Sequence, residues 1–317
     1  MRNRRTVRNH RTVRNHRLLF GGIAAIAATT LVALTGCSAD NDTAKDPAAP
    51  AETKTEVVDE IRELLPKRIQ DAGVIKVGTE AYYPPYDYFG DDEETIVGLD
   101  PDLLHALGGI LGVEFAIENM AFDGLLPALE AGRFDMVSGA LGTTEERIAK
   151  YDFVTYFSAT QGITTVAENP KGIKGKDNLC GLNVAVLDAS YQLSLLESFN
   201  DNECASNPMK IQAFQSDSDA LMQLQNGRAD AHIAQYPVAV YNATTFGDGK
   251  KFAVVNDETF GAQLLGKIFR KDEQELRDAV QAAMNELIRS GAYGDILEEH
   301  GLALGAVETS EINVVAE

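Results

Sequence analysis

The sequence predicts an α/β protein made of two lobes of similar build, each around a mostly parallel sheet. Three observations carry this. Short β-rich runs alternate with amphipathic helical runs between residues 74 and 157, the pattern that lays strands side by side and packs helices on the sheet faces. After Asn169-Pro170 the alternation begins again. Finally, Leu129-Glu130-Ala131-Gly132-Arg133-Phe134-Asp135 is echoed by Leu224-Gln225-Asn226-Gly227-Arg228-Ala229-Asp230, each reading as a helix, a glycine cap and a strand. At 317 residues the chain has room for two domains of ordinary size.

The first residues stand outside that pattern. Residues 1–17 carry seven arginines and a duplicated hexamer, RTVRNH, while residues 18–34 are apolar and small residues precede Cys37. This is a secretory signal over residues 1–36; an uncleaved membrane anchor is the alternative. Leu34-Thr35-Gly36-Cys37 resembles a lipoprotein cleavage box, so Cys37 is expected to carry lipid at the start of the mature chain. Residues 37–64 are read as a flexible tether, because 38–55 is polar and rich in Ala, Pro and Asp and cannot bury enough apolar surface to fold. In an exported protein the two remaining cysteines, Cys180 and Cys204, are expected to pair, or else to stand as free thiols. The formal charge is −20, and beyond residue 36 there are 21 basic against 48 acidic residues. That balance argues against nucleic acid as a partner.

Within the first lobe, residues 57–65 have helical spacing that Pro66 ends. Residues 74–78 are a strand. An extended loop follows over residues 79–88, since Pro84-Pro85 forbids helix. Its four tyrosines offer flat amphipathic faces to a ligand, or pack on their own lobe. Asp100 reads as the cap of a helix with Pro101 at the first position. Leu103, Leu104, Leu107, Ile110 and Leu111 form its apolar face, and Gly112 stops it. Residues 113–117 are a strand, and Phe122 opens a short helix ended by Gly132. Met136-Val137 then enters a Gly- and Thr-rich turn that leads to a helix start carrying Arg147. Such a strand end presents free backbone N–H groups. Arg147 adds a planar cation suited to a carboxylate, although beside Glu145 and Glu146 it could equally be a surface charge.

The second lobe repeats the scheme. Residues 182–187 are a strand, Asp188-Ala189-Ser190-Tyr191-Gln192 is a polar turn opening a helix, 211–214 is a strand, 218–226 a helix, and 229–234 a strand carrying His232, read as structural. Strands at 252–255 and 263–268 follow. The helix at 272–290 turns Leu276, Val280, Ala283 and Leu287 to one face, a helix at 293–299 comes next, and residues 306–317 look loosely ordered.

YYPPYDY, GLDPDLL, LLPALEAGRFD, TTEER and YDFVTYF, in this order and spacing, resemble the extracellular solute-binding proteins of family 3, which serve ABC importers for polar amino acids. AVLDASYQ and RSGAYGDILEEHGL are similar to the same family, and the agreement spans residues 65–302. The resemblance implies a periplasmic-binding-protein-like fold of type II: two α/β lobes joined by two hinge strands, with ligand held in the cleft between them. Lobe one is then 65–165 plus 253–317 and lobe two 166–252. It also implies that Arg147 binds the ligand α-carboxylate and that Glu80 and Tyr83 contact the ligand while Phe122 packs on it. Ala140 and Gly142 lie on the carboxylate turn. Ser190, Tyr191 and Gln192 add donors from lobe two. Two positions depart from the pattern. Gln235 stands where the family usually has an aspartate for the α-ammonium, and Gly142 where it usually has a hydroxyl. Asp188 and Glu80 are the nearest carboxylates that could take a cationic end; otherwise the ligand has no α-ammonium.

The reading is a monomeric, lipid-anchored binding component that captures a small polar amino acid or related carboxylate and delivers it to an ABC permease, with no cofactor. A ligand-sensing receptor domain and a dehydratase-like enzyme on the same fold are the alternatives. No metal-ligand spacing and no nucleophile elbow favours catalysis.

Overall fold

The computed structural model describes residues 55–256 and 259–316. The signal, Cys37 and nearly all of the polar stretch after it lie outside the described residues. Helices α1 (Asp59–Arg62) and α2 (Lys67–Ala72), separated by Pro66, lead into β1 (Val74–Thr79). A small antiparallel sheet follows, formed by β2 (Tyr82–Tyr83), β3 (Asp87–Phe89) and β4 (Ile96–Val97). The chain continues through α3 (Leu99–Leu111), β5 (Glu114–Asn119), α4 (Phe122–Glu130), β6 (Met136–Val137), α5 (Glu145–Lys150) and β7 (Tyr151–Ala159). It then crosses into β8 (Gln161–Val166), β9 (Asn183–Leu187), α6 (Tyr191–Asp201), β10 (Lys210–Phe214), α7 (Asp217–Gln225), β11 (Ala231–Gln235), α8 (Tyr236–Thr245) and β12 (Phe252–Val254). A second crossing returns it to β13 (Gln263–Arg270), α9 (Gln274–Ser290) and α10 (Ala292–Glu299).

Two five-stranded sheets result, in the orders β5-β1-β6-β13-β7 and β10-β9-β11-β8-β12. In each, three neighbouring strands are parallel and two antiparallel strands extend them. The parallel block is what the strand–helix alternation predicts. The antiparallel pair is the consequence of the crossings, because a chain that arrives directly from the other lobe has no crossover helix to reverse it. By sheet membership Gln161–Val166 and Phe252–Val254 go with the second sheet, so the expected boundaries at 165/166 and 252/253 lie off the crossings.

Lobe one has the larger core. The apolar stripes of α3 and α9 bury Leu103, Leu107, Leu276, Val280, Ala283 and Leu287 against one another and against Tyr293 and Ile296 of α10. In lobe two a cluster with Val184, Val186, Leu196 and Ile233 fills one face of the sheet, and a smaller one with Ala220, Leu221 and Leu224 of α7 fills the other. Cys180 and Cys204 form a disulfide at the edge of the first of these, 24 residues apart in sequence.

Several expectations are corrected. Residues 57–65 hold only the single turn of α1, and α2 beyond Pro66 is an additional helix. The described end of the expected tether is docked rather than free: Val58 N donates to Ile110 O at 3.0 Å and Arg62 Nη1 to Gly112 O at 2.6 Å. Asp100 is not the cap of α3, which Gly98 occupies; its carboxylate is buried and spent on Lys267. The last residues are not loose. Ser310 Oγ donates to Thr155 O at 2.6 Å, Asn313 Nδ2 to Asp152 Oδ1 at 2.9 Å, and Ile312 bridges Val154.

Candidate functional site

In an open parallel sheet the crevice lies beyond the carboxyl ends of the strands. Both lobes obey this. β1 ends at Thr79-Glu80 and β6 runs out into the turn at residues 138–144, whereas β9 ends at the turn of residues 188–190 and β11 at Gln235. The two turns have like geometry. Ala140 (φ 53°) and Ala189 (φ 54°) sit in the left-handed region, a strained backbone for a residue with a Cβ. Each turn then caps a helix with a hydroxyl: Thr144 Oγ1 accepts from Arg147 N at 3.2 Å, and Ser190 Oγ from Leu193 N at 3.1 Å.

Arg147 joins the two. Its Nη1 donates to Gly142 O and its Nη2 to Ala189 O, each at 3.0 Å, so one guanidinium spans the cleft. Burial pulls its pKa below the ordinary arginine value, with Glu146 opposing; a guanidinium remains charged regardless. Gln235 makes the second cross-cleft tie, its N donating to Tyr83 Oη at 3.1 Å and its Nε2 to Ala140 O at 2.8 Å. Burial pushes the Tyr83 phenol well above its usual value, which keeps it a neutral O–H. Tyr88 and Tyr241 add an aromatic contact between the lobes at 5.9 Å.

Of the residues singled out in sequence, Arg147, Tyr83, Phe122, Ala140, Gly142, Ser190, Tyr191, Gln192 and Gln235 come together around a cavity of about 10 Å³. Arg147, Ser190 and Tyr191 also border a larger groove of about 330 Å³ beside Glu130, Glu146 and Lys150. Two others do not line the small cavity. Asp188 is half-buried and its Oδ1 accepts from the next backbone N–H, of Ala189, at 2.8 Å. Glu80 is buried between the lobes, where burial and the nearby Asp217 push its carboxyl up to about 8, with the Tyr82 backbone N–H partly offsetting them. Of the four loop tyrosines only Tyr83 reaches the cavity; Tyr86 stacks beneath it and Tyr82 is exposed.

Sequence reasoning missed Leu141, Leu187 and Gln263 on the cavity wall. The first two adjoin residues that were found. Gln263 had a signal of its own, a lone carboxamide in the otherwise apolar start of β13. His232 is paired with Asp217 at 2.9 Å, both buried in lobe two, which is the structural role read for it. No three His, Cys, Asp or Glu residues are grouped to hold a metal among the described residues.

Residues 75–303 match the family described as bacterial extracellular solute-binding proteins, family 3. The chain is 29% identical over 259 residues to the arginine-binding protein ArgT of Corynebacterium glutamicum, covering 81% of this chain and 83% of that protein. It is 28% identical to the L-cystine-binding protein TcyJ of Escherichia coli K12, covering 74% and 85%. Among solved structures it resembles the ancestral amino acid-binding protein AncCDT-1, a precursor of cyclohexadienyl dehydratase, with a TM-score of 0.63 and 30% identity over 73% of this chain and 96% of that one.

Proposed function

The chain belongs to family 3 of the bacterial extracellular solute-binding proteins, and from that premise we propose that its cleft captures a small polar amino acid by the carboxylate and presents it, enclosed, to an ABC permease. The observation that carries the reading is Arg147, a cation held by carbonyls of both cleft turns. A carboxylate inserted there would replace neutral acceptors by a charged one, and charge-assisted bidentate pairs are the stronger kind. A cavity of about 10 Å³ holds roughly one water, so a ligand enters by parting of the lobes about the two crossings. The crossings are themselves tied, Gln161 Nε2 donating to Gly261 O at 2.8 Å while Gln161 Oε1 accepts from Gln192 at 2.7 Å. Turn and hinge are therefore mechanically linked through Gln192.

The relatives that bind arginine and cystine support an amino acid as ligand. Leu34-Thr35-Gly36-Cys37 supports a protein anchored by lipid at the outer face of the cell membrane, and the Cys180–Cys204 disulfide fits an oxidising compartment. In this reading Tyr83, Phe122 and the turn of Ser190 close on the ligand body. A dehydratase-like reading has one observation in its favour, the protonated carboxyl that Glu80 presents near neutral pH. Glu80 stands off the cavity wall, however, which favours binding alone.

The test is a thermal-shift screen of amino acids and small carboxylates, followed by calorimetry on Arg147→Ala. Losing two charge-assisted bonds at about 1.5 kcal/mol each should weaken binding roughly 100-fold without unfolding the protein. Unchanged affinity would refute the carboxylate anchor. Ligand recovered chemically unchanged would exclude the enzyme.

A further inference from the structure

The cleft lacks the aspartate and the hydroxyl that the family resemblance leads one to expect, and two carboxamides stand in their place. Gln235 ends β11 and is buried. Its amide orientation is fixed, because Nε2 donates to the Ala140 carbonyl at 2.8 Å and an oxygen could not. That leaves Gln235 Oε1 buried with no hydrogen-bond partner. Gln263 opens β13 and is 1% exposed, and neither its Nε2 nor its Oε1 has a partner. Both side chains line the cavity that Arg147 also lines.

Gly142 explains how Gln263 comes to be there. A Cβ built on Gly142 would lie 2.0 Å from Gln263 Oε1 and 2.9 Å from its Cδ. A side chain at position 142, a serine or threonine included, would require this carboxamide to swing away from its place on the cavity wall. The glycine thus admits Gln263 into the space a hydroxyl would occupy. The Gly142 turn is fixed against the same strand, Thr143 N donating to Leu264 O at 2.7 Å, so the carboxamide and the glycine are held in register.

Buried carboxamide oxygens without donors are costly and uncommon in folded proteins. Two of them on one cavity, beside a guanidinium suited to a carboxylate, call for a group rich in N–H donors a short distance from that carboxylate. We propose that Gln235 and Gln263 together form the α-ammonium site of this cleft, two neutral acceptors in place of one carboxylate, with Gln263 as a specificity-determining residue. The ligand is then an α-amino acid and not a simple carboxylate. This rests on the reading of Arg147 as the carboxylate anchor.

The experiment compares each of the twenty common L-amino acids and L-cystine with its desamino acid, by calorimetry on the whole mature protein. At least one amino acid should bind tenfold or more tightly than its desamino acid. That ratio should fall below threefold in Gln263→Met and in Gln235→Met, which keep bulk and remove the acceptors, while Gln235→Asp should raise it. The ratio is the decisive readout, since a packing role for Gln263 would weaken both compounds alike. No amino acid binding more tightly than its desamino acid, or a ratio unmoved in Gln263→Met, would overturn the proposal. Should the methionine variants fail to fold, a fall of the ratio in Gln235→Asp overturns it by itself. Binding of simple carboxylates only, still abolished by Arg147→Ala, would sink the ammonium site and leave the carboxylate anchor standing; no binding that depends on Arg147 would remove both.

Discussion

Lobe one and lobe two hold their halves of the cleft in place by different means. Beneath the Ala140 turn of lobe one is a buried ionic network: Lys267 Nζ donates to Asp100 Oδ1 at 2.8 Å and to Ser138 Oγ at 2.6 Å, and lies 3.8 Å from the Tyr156 ring centroid. Asp100 Oδ2 in turn accepts from Ala140 N at 3.1 Å. Beneath the Ala189 turn of lobe two, Ser190 Oγ donates to Leu187 O at 2.6 Å; the buried pair of that lobe, His232 with Asp217, ties β11 to the start of α7, and a disulfide closes the edge of its core. Rigidity is therefore built differently in the two lobes. A large core can bear buried charge and use it to fix a strained turn. A small lobe buries less per residue, and here it carries a covalent staple.

Lys267→Met strands the Asp100 carboxylate, with both side chains fully buried, and should cost about 3–5 kcal/mol in urea unfolding. A cost under about 1 kcal/mol would mean that the network is not what holds the turn. Next, Cys180→Ser together with Cys204→Ser should destabilise lobe two by roughly 3 kcal/mol on the loop-entropy estimate. Hydrogen exchange should then show β9 and β10 opening before β1 and β5; equal loss of protection in both sheets would erase the distinction between the lobes.

Glu80 lies where the lobes meet, and its effect is spread over pH. Its folded pKa is raised to about 8 from 4.5, so between these values the folded state binds more protons than the unfolded one. Its contribution to stability therefore falls as pH rises through that window and is constant outside it. Relative to wild type, Glu80→Gln should gain stability with pH between about 4.5 and 8 by up to about 1.4 kcal/mol per unit. A stability difference that does not change with pH would show that Glu80 is solvated in the folded protein.

Much of this was legible beforehand, and the exceptions share a cause. The strand–helix alternation, the turn that leads to Arg147 and the polar turn at residues 188–192 that opens a helix rest on residues within a few positions of each other, and local spacing suffices to read them. Asp100 looked like a cap because the residues around it permit one; its partner Lys267 is 167 residues away and leaves no local trace. The last residues looked loose because their attachments to Thr155, Asp152 and Asn285 are also remote. Gln263 did leave a trace, its lone carboxamide, but not one that shows what it is for. Its meaning depends on Gly142, and only the folded sheet brings β13 against that turn.

The order of the strands also sets an order of assembly. The second sheet draws on one continuous stretch, β8 to β12, whereas the first needs β13 from beyond it and is closed off by the final residues against β7. As the chain emerges from its amino end, lobe two can pair every strand of its sheet while lobe one still lacks a central member. The half that carries Arg147 is thus the last to be finished, and until then β6 and β7 have no neighbour in common.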